Sequence, residues 1–472
     1  SADGQPLDVT LTDSPKGPVT SADVAFDKRL FYHDKYSFTL TYELPASRSD
    51  SLLVTPYYVF LPVLASGDEA TVTVNSPADA GWEASLEAAD CAQGAAPAPG
   101  QPATLTCSGQ ETPYVAALVE VSRPDARITV LFDVQLREKA VSVSLTYFPG
   151  EEAFAQHVKD LVQASLPVIE DLYGFPYPAA PSIRIAQGGR QVVLGYEGLT
   201  TCLADACDIV ISPISDDYTV LHELAHLWSG IYARRWLSEG FAQVVAEDAA
   251  ARLPAGLVRG QPPQRDPAAV ALQLDEWGDV TSAVGAGEDE LALQNAGYDR
   301  SLRFLYVLRF EAGADILRQV NAAIAKGGQP ADSKRYLDAL EETGGKTLDG
   351  LFAEWVFPSY YDSILESRRE ARSRADDLTR RASEEGLSDE VPAAIREDVD
   401  AWRFDEAIAG LDQAEEGMAR LEDLKSDLSW LHTNAAAAGL TMPGDVDDAL
   451  ARWDFAGAGR IMQSARRALD SY

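Results

Sequence analysis

Five consecutive residues near the middle of the chain, His222-Glu223-Leu224-Ala225-His226, restrict the local fold more than any other segment. Side chains at positions i and i+4 lie on one face of an α-helix, so a helix brings both imidazoles together. The chain contains only five histidines, and a chance match to this spacing is expected on the order of once in a few hundred such chains. The pattern therefore predicts a helix whose two histidines bind one metal ion. The alternative is a buried helix with two hydrogen-bonded histidines.

A third metal ligand is predicted on the following helix. The segment RRWLSEGFAQVVAEDAA, residues 234–250, is typical of a helix and carries Glu239 near its start. The spacer after His226 is long enough to end one helix, turn and begin an antiparallel one. Two histidines, one glutamate and an open position are the donor set of a catalytic zinc ion. We expect one Zn²⁺ per chain, bound by His222, His226 and Glu239, with Glu223 as the general base.

The pattern of the chain changes twice, which predicts an α+β multidomain fold. Residues 1–147 contain short β-branched and aromatic runs such as PYYVFLPVL and ARITVLFDVQL, typical of an antiparallel β-sandwich-like domain. Residues 148–360 form a second domain that begins with a helix and becomes mainly helical after Asp216. Its predicted helices include Asp216–Gly230, Trp236–Arg252, Tyr298–Glu311 and Ala314–Ala325.

The last region, residues 361–472, is predicted to be helical and contains an internal repeat. Residues 391–414 match residues 442–465, with Trp402 aligned to Trp453. Recurrence of the same large apolar residues predicts two helical hairpins that bury equivalent faces. We expect a structural cap on the rest of the chain, and a docking surface for a protein partner is the alternative.

The charge balance excludes nucleic acid as a partner. The chain has 39 Lys and Arg residues against 74 Asp and Glu residues, a formal net charge of −35. Such a charge repels phosphate backbones and anionic lipid. The most apolar stretch, residues 52–65, is short and contains two prolines, so we expect no membrane span in this chain.

The four cysteines form two close pairs, Cys91 with Cys107 and Cys202 with Cys207. An even number in local pairs is typical of two small disulfide loops in an exported protein. Four reduced thiols in a cytosolic enzyme are the alternative, and a four-cysteine zinc site is disfavoured because neither pair has the Cys-x2-Cys spacing. Since the chain begins at Ser1, we expect an extracellular or cell-surface protein trimmed of a signal or anchor segment.

Several segments resemble the gluzincin zinc peptidases, and most closely the membrane alanyl aminopeptidase (aminopeptidase N) family. HELAHLW and WLSEGFA resemble that family's zinc motif and its WLNEGFA segment. EDLYGFPYP resembles the segment that leads into its catalytic domain. GYEGLTT resembles its G-x-M-E-N substrate loop, and YDRSLRFLYVLR resembles its Y-x-K-G helix. These matches occur in the family's order between residues 150 and 360.

The resemblance implies a thermolysin-like catalytic domain, the same zinc ligands and a peptide or protein substrate. Tyr298 would donate a hydrogen bond to the oxyanion. Glu197 would bind the free α-amine of the substrate, beside Gly195 and Tyr196 in the substrate loop. The chain departs from the family by a shorter spacer before Glu239 and by Gly198 in place of an asparagine.

The expected function is that of a zinc-dependent peptidase, and more specifically an aminopeptidase. A zinc endopeptidase that uses the same site is one alternative. A non-catalytic surface or scaffold protein that has kept the fold is another, since fold alone does not determine function.

Overall fold

A computed structural model of the chain describes residues 6–13, 20–43, 47–49, 52–66, 70–75, 81–88, 104–109, 114–178, 182–188, 198–203, 206–262, 271–278, 288–439 and 445–471. These residues form a mixed α+β structure, with β-sheets in the N-terminal part and helices in the C-terminal half. None of the helices in these ranges is both long enough and apolar enough to cross a membrane.

The N-terminal strands pair entirely in antiparallel fashion. The strands are β1 (Asp8–Asp13), β2 (Thr20–Ala25), β3 (Ser47–Ser49), β4 (Leu52–Val54), β5 (Tyr58–Ser66), β6 (Ala70–Asn75), β7 (Glu83–Ala88), β8 (Thr104–Gly109) and β9 (Tyr114–Ser122). Five of them form a sheet in the order β3-β4-β5-β9-β7, while β1 pairs with β2 and β6 with β8. Three side chains of this sheet, Leu53, Tyr58 and Phe60, are buried in a cluster with Phe148.

A second five-stranded sheet supports the candidate site. Its strands, in the order β10-β11-β12-β14-β13, are β10 (Ile128–Gln135), β11 (Ala140–Tyr147), β12 (Ser182–Gln187), β14 (Cys207–Ile211) and β13 (Gly198–Cys202). The three inner strands are parallel and the two outer strands are antiparallel to their neighbours. Helix α1 (Glu152–Tyr173) connects β11 to β12 and ends at Gly174, whose φ of 85° suits glycine.

This sheet crosses the domain boundary predicted between residues 147 and 148. Strands β10 and β11 were predicted to belong to the N-terminal domain, but β11 pairs with β12, which follows α1. Alternating burial along β11 shows which of its faces is covered. Alternation does not identify the neighbouring strand, because that pairing joins distant parts of the chain.

The helical half begins with α2 (Asp217–Ala225), a 3-10 helix (His226–Ile231) and α3 (Arg235–Arg252). The helices that follow are α4 (Glu288–Ala312), α5 (Ala314–Gly327), α6 (Ser333–Gly344), α7 (Asp349–Trp355), α8 (Asp362–Glu384), α9 (Glu390–Asp400), α10 (Phe404–Ala437), α11 (Asp445–Ala451) and α12 (Phe455–Asp470). The predicted helix from Asp216 to Gly230 thus tightens into 3-10 geometry after Ala225. Helix α4 starts well before the predicted Tyr298.

Two hydrophobic cores organise these helices. The larger core joins the second sheet to α1–α7 and includes the fully buried Trp228 and Trp236. The smaller core lies among α8–α12. The two repeated segments adopt the same local structure. Trp402 precedes α10 and Trp453 precedes α12, and both tryptophans have a positive φ (58° and 63°).

Candidate metal centre

Helix α2 is fixed at its N-terminus before it presents the histidines. The Asp216 side chain accepts a hydrogen bond from the Thr219 N–H at 2.7 Å, which satisfies one free donor of the first turn. Asp217 lies 2.7 Å from Nε2 of His157 on α1. Leu221 and Leu224 are completely buried on this helix. These contacts hold α2 between α1 and the second sheet.

The two histidines and Glu239 meet as the sequence predicted. Nε2 of His226 lies 3.0 Å from Nε2 of His222. Oε2 of Glu239 lies 3.2 Å from Nε2 of His222 and 3.4 Å from Nε2 of His226. A tetrahedral zinc ion with bonds of about 2.0–2.1 Å requires donor atoms about 3.3 Å apart. The donor types and their separations therefore fit a zinc ion.

The electrostatics of this cluster favour an ionised glutamate. Burial by itself would raise the pKa of Glu239, but His226 and His222 lower that pKa well below its usual range. Burial lowers the pKa of His226, whereas Glu239 and Glu223 raise it, and the net shift is upward. An ionised carboxylate is the form that binds a metal.

The second ring nitrogen of His226 faces two serine hydroxyls. Nδ1 lies 3.2 Å from Oγ of Ser229 and 3.3 Å from Oγ of Ser238. When Nε2 of a histidine binds a metal, Nδ1 carries the proton and donates it in a hydrogen bond. Ser229 on the 3-10 helix and Ser238 on α3 can each accept that bond from His226. Neither serine was predicted from the sequence, although each lies within three residues of a predicted ligand.

Glu223 lies beside strand β13 and is 6% exposed. The Thr200 hydroxyl is 2.7 Å from Oε2 of Glu223 and 2.9 Å from its backbone oxygen. Gly198 also lies against this side chain, because a Cβ at position 198 would be 2.6 Å from Cγ of Glu223. A side chain at position 198 would therefore displace Glu223 or the strand.

Tyr298 lies within α4, and its hydroxyl accepts a hydrogen bond from Nη2 of Arg235 at 3.4 Å. The Arg235 guanidinium stacks over the Trp277 ring at 4.1 Å, and the rings of Trp277 and Tyr298 meet edge to face at 5.0 Å. Arg235 is one helical turn before Glu239 on α3, so these contacts connect Tyr298 to the helix that carries Glu239. The catalytic role of Tyr298 stays a prediction.

Several solved structures are similar in structure to this chain. The M1 zinc metallopeptidase of Deinococcus radiodurans matches with 18% identity and a TM-score of 0.35, over 76% of this chain and 84% of that chain. A mutant of that enzyme bound to a Tyr-Ser-Ala substrate matches with 19% identity and a TM-score of 0.32, over 75% and 83%. Aminopeptidase A of Legionella pneumophila, in complex with aspartic acid, matches with 14% identity and a TM-score of 0.39, over 65% and 38%.

The chain is distantly similar in structure to M1 zinc metallopeptidases. No protein-family model and no curated protein matches its sequence.

The remaining predicted site residues have different outcomes. Cys202 and Cys207 form a disulfide between β13 and β14. The predicted substrate-loop residues Gly195, Tyr196 and Glu197 lie outside the described residues, and so does the predicted pair of Cys91 with Cys107, because Cys91 is outside them.

Proposed function

We propose that the protein is a zinc-dependent peptidase. The observation that carries this proposal is the convergence of His222, His226 and Glu239, with donor atoms 3.0–3.4 Å apart. Zinc, when bound there, supplies a Lewis acid for the scissile carbonyl and makes water a nucleophile near neutral pH. Three protein ligands would leave one coordination position of a bound zinc ion for water or substrate.

The chain's own residues supply the proton transfers. Glu223 follows the first ligand directly and is held by Thr200. It accepts a proton from the attacking water and passes that proton to the leaving amine. Tyr298 donates a hydrogen bond to the oxyanion as negative charge develops there.

Within this class we propose an aminopeptidase. The support is the resemblance of GYEGLTT to a substrate loop in which Glu197 would bind the free α-amine. An exported location is proposed with it, since the Cys202–Cys207 disulfide suits an oxidising compartment.

Zinc content and peptide hydrolysis test the proposal together. A panel of peptides is offered with free and with acetylated N-termini, with and without a chelator. We expect one zinc per chain and chelator-sensitive cleavage of the free peptides only. Equal cleavage of both forms would favour an endopeptidase, and bound zinc without any cleavage would favour a non-catalytic scaffold.

The substitution Glu223→Gln tests the general base. It keeps the shape of the side chain but removes the proton acceptor, so zinc content should be unchanged while kcat falls by about 10²–10⁴-fold. Glu342→Gln, at an exposed position on α6, is the matched control and should leave kcat unchanged. Retained turnover in Glu223→Gln would contradict the assigned role.

A further inference from the structure

Strand β13 contacts the proposed general base through two of its residues. Thr200 contributes its hydroxyl, which is 2.7 Å from Oε2 of Glu223. Gly198 contributes its bare backbone, where a Cβ would be 2.6 Å from Cγ and 2.8 Å from Oε1 of the same side chain. The position of β13 therefore determines the position of the Glu223 carboxylate.

The Thr200 contact makes the two carboxylate oxygens of Glu223 different. The hydroxyl donates one hydrogen, and two oxygens of Glu223 are within its reach, Oε2 at 2.7 Å and the backbone oxygen at 2.9 Å. The carboxylate oxygen is the nearer of the two and, being charged, the stronger acceptor. This bond occupies Oε2 and orients the carboxylate, which leaves Oε1 to accept a proton. Gly198 places no side chain beside Oε1.

Strand β13 needs support because it lies at the edge of its sheet. In the described part of the chain it pairs on one side only, with β14. The register places Thr200 opposite Ile209 and Cys202 opposite Cys207. The disulfide joins that last pair, so a covalent link lies two residues from Thr200. A one-residue slip of a strand turns every side chain to the other face, and would point Thr200 away from Glu223.

We propose that Thr200 is a positioning residue for Glu223 and that the Cys202–Cys207 disulfide holds β13 in the register that places it there. The inference rests on the proposed peptidase function. It adds that the general base is oriented from a strand outside the zinc-binding helices, through a link that a thiol reductant would cut. The disulfide closes a short loop, so it restrains the unfolded chain less than a long loop would, and its main effect is local.

Three substitutions test the Thr200 part. Thr200→Val removes the hydroxyl at nearly constant volume, and we expect kcat to fall about 10- to 100-fold with KM and zinc content unchanged. Thr200→Ser restores the hydroxyl and should recover most of kcat. Thr201→Val is the matched control, because the next residue of a strand faces the other side and Thr201 is exposed. It should leave kcat unchanged.

The paired substitution Cys202→Ser with Cys207→Ser tests the disulfide. We expect it to lower kcat when residue 200 is threonine and to cause no further loss in Thr200→Val, because both changes act through one contact. Amide hydrogen exchange supplies a readout that needs no substrate. The amides of residues 198–202 should exchange faster in the serine variant, while those of α2 keep their protection.

The outcomes separate this inference from the proposed function. If the wild-type protein binds zinc and cleaves peptides but Thr200→Val keeps full kcat, the positioning role is overturned and the peptidase assignment stands. If hydrogen exchange of residues 198–202 is the same with and without the disulfide, the role of the disulfide is overturned. If the wild-type protein cleaves no peptide, the proposed function fails, and the positioning role fails with it.

Discussion

His226 has a partner for each of its two ring nitrogens. Nε2 faces His222 and Glu239, whereas Nδ1 lies 3.2 Å from Ser229 and 3.3 Å from Ser238. Tyr173 is completely buried beside Ser229 and Glu239, and this burial raises the pKa of its hydroxyl well above the usual value. The tyrosine therefore stays neutral, and its ring stacks on that of Trp228.

The two serines should control zinc affinity. Replacing both, Ser229→Ala with Ser238→Ala, removes the hydroxyl partners that Nδ1 has among the described residues. The zinc dissociation constant should then rise about 10- to 100-fold. Each single substitution should have a smaller effect because the other hydroxyl remains. A competition titration against a chelator measures the change, with the exposed Ser426→Ala as control. Unchanged affinity in the double variant would show that the serines do not orient His226.

At the scale of elements, α3 and α4 approach closely because small residues meet between them. A Cβ on Gly240 would lie 2.9 Å from Leu305 and 3.2 Å from Ser301. Ser301 is completely buried, and its hydroxyl donates back to the Tyr298 carbonyl at 3.1 Å. The small residue at position 301 therefore keeps the helices close and places Tyr298 on the helix next to that of Glu239.

Gly297 makes room for the ring that packs against Tyr298. A Cβ at this position would be 2.1 Å from Cε2 of Trp277. Gly297→Ala should displace that ring and lower kcat through Tyr298. Overpacking should cost about 1–3 kcal/mol of unfolding free energy, offset in part by the roughly 1 kcal/mol gained in helix propensity.

Thermal unfolding and steady-state kinetics measure both effects of Gly297→Ala. Gly350→Ala is the matched control, because Gly350 is helical and has no heavy atom within 4 Å of an added Cβ. That substitution should be neutral or stabilising. If Gly297→Ala behaves in the same way, the packing account of Trp277 is wrong.

Local patterns predicted the elements whose residues are close in sequence. The spacing of His222 and His226 predicted the ligand helix, and the short return to Glu239 predicted the third ligand. Contacts between distant segments were not predictable. The Thr200 hydroxyl bond to Glu223 joins residues far apart in the chain, and no spacing in GYEGLTT indicates it. The start of α4 was missed because Gly297 interrupts its helical pattern.

At the scale of the whole molecule, the C-terminal helices are joined to α6 and α7 by buried charge. Arg368 on α8 is 1% exposed and contacts the carboxylates of Asp338, Glu341 and Asp349. Trp402, the first tryptophan of the repeat, donates its indole N–H to Asp338 at 2.6 Å. Its counterpart Trp453 donates to the Ser388 carbonyl at 2.9 Å. In each repeat, the tryptophan therefore donates a hydrogen bond to a residue that lies earlier in the chain.

Arg368→Met should destabilise the protein strongly. The substitution leaves the buried carboxylate of Asp349 without its nearest cation and removes one of the two arginines that pair with Glu341. Removing one partner of a buried ion pair costs about 3–5 kcal/mol. The nearby Arg372, whose Nη1 is 2.5 Å from Glu341, should reduce that cost.

Chemical denaturation measures the free energy of unfolding. Arg380→Met is the matched control, since Arg380 on the same helix is exposed and pairs with the exposed Asp377 and Glu384, and surface pairs contribute about 0–1 kcal/mol each. Equal losses in the two variants would mean that the buried cluster stabilises this junction no more than a surface ion pair does.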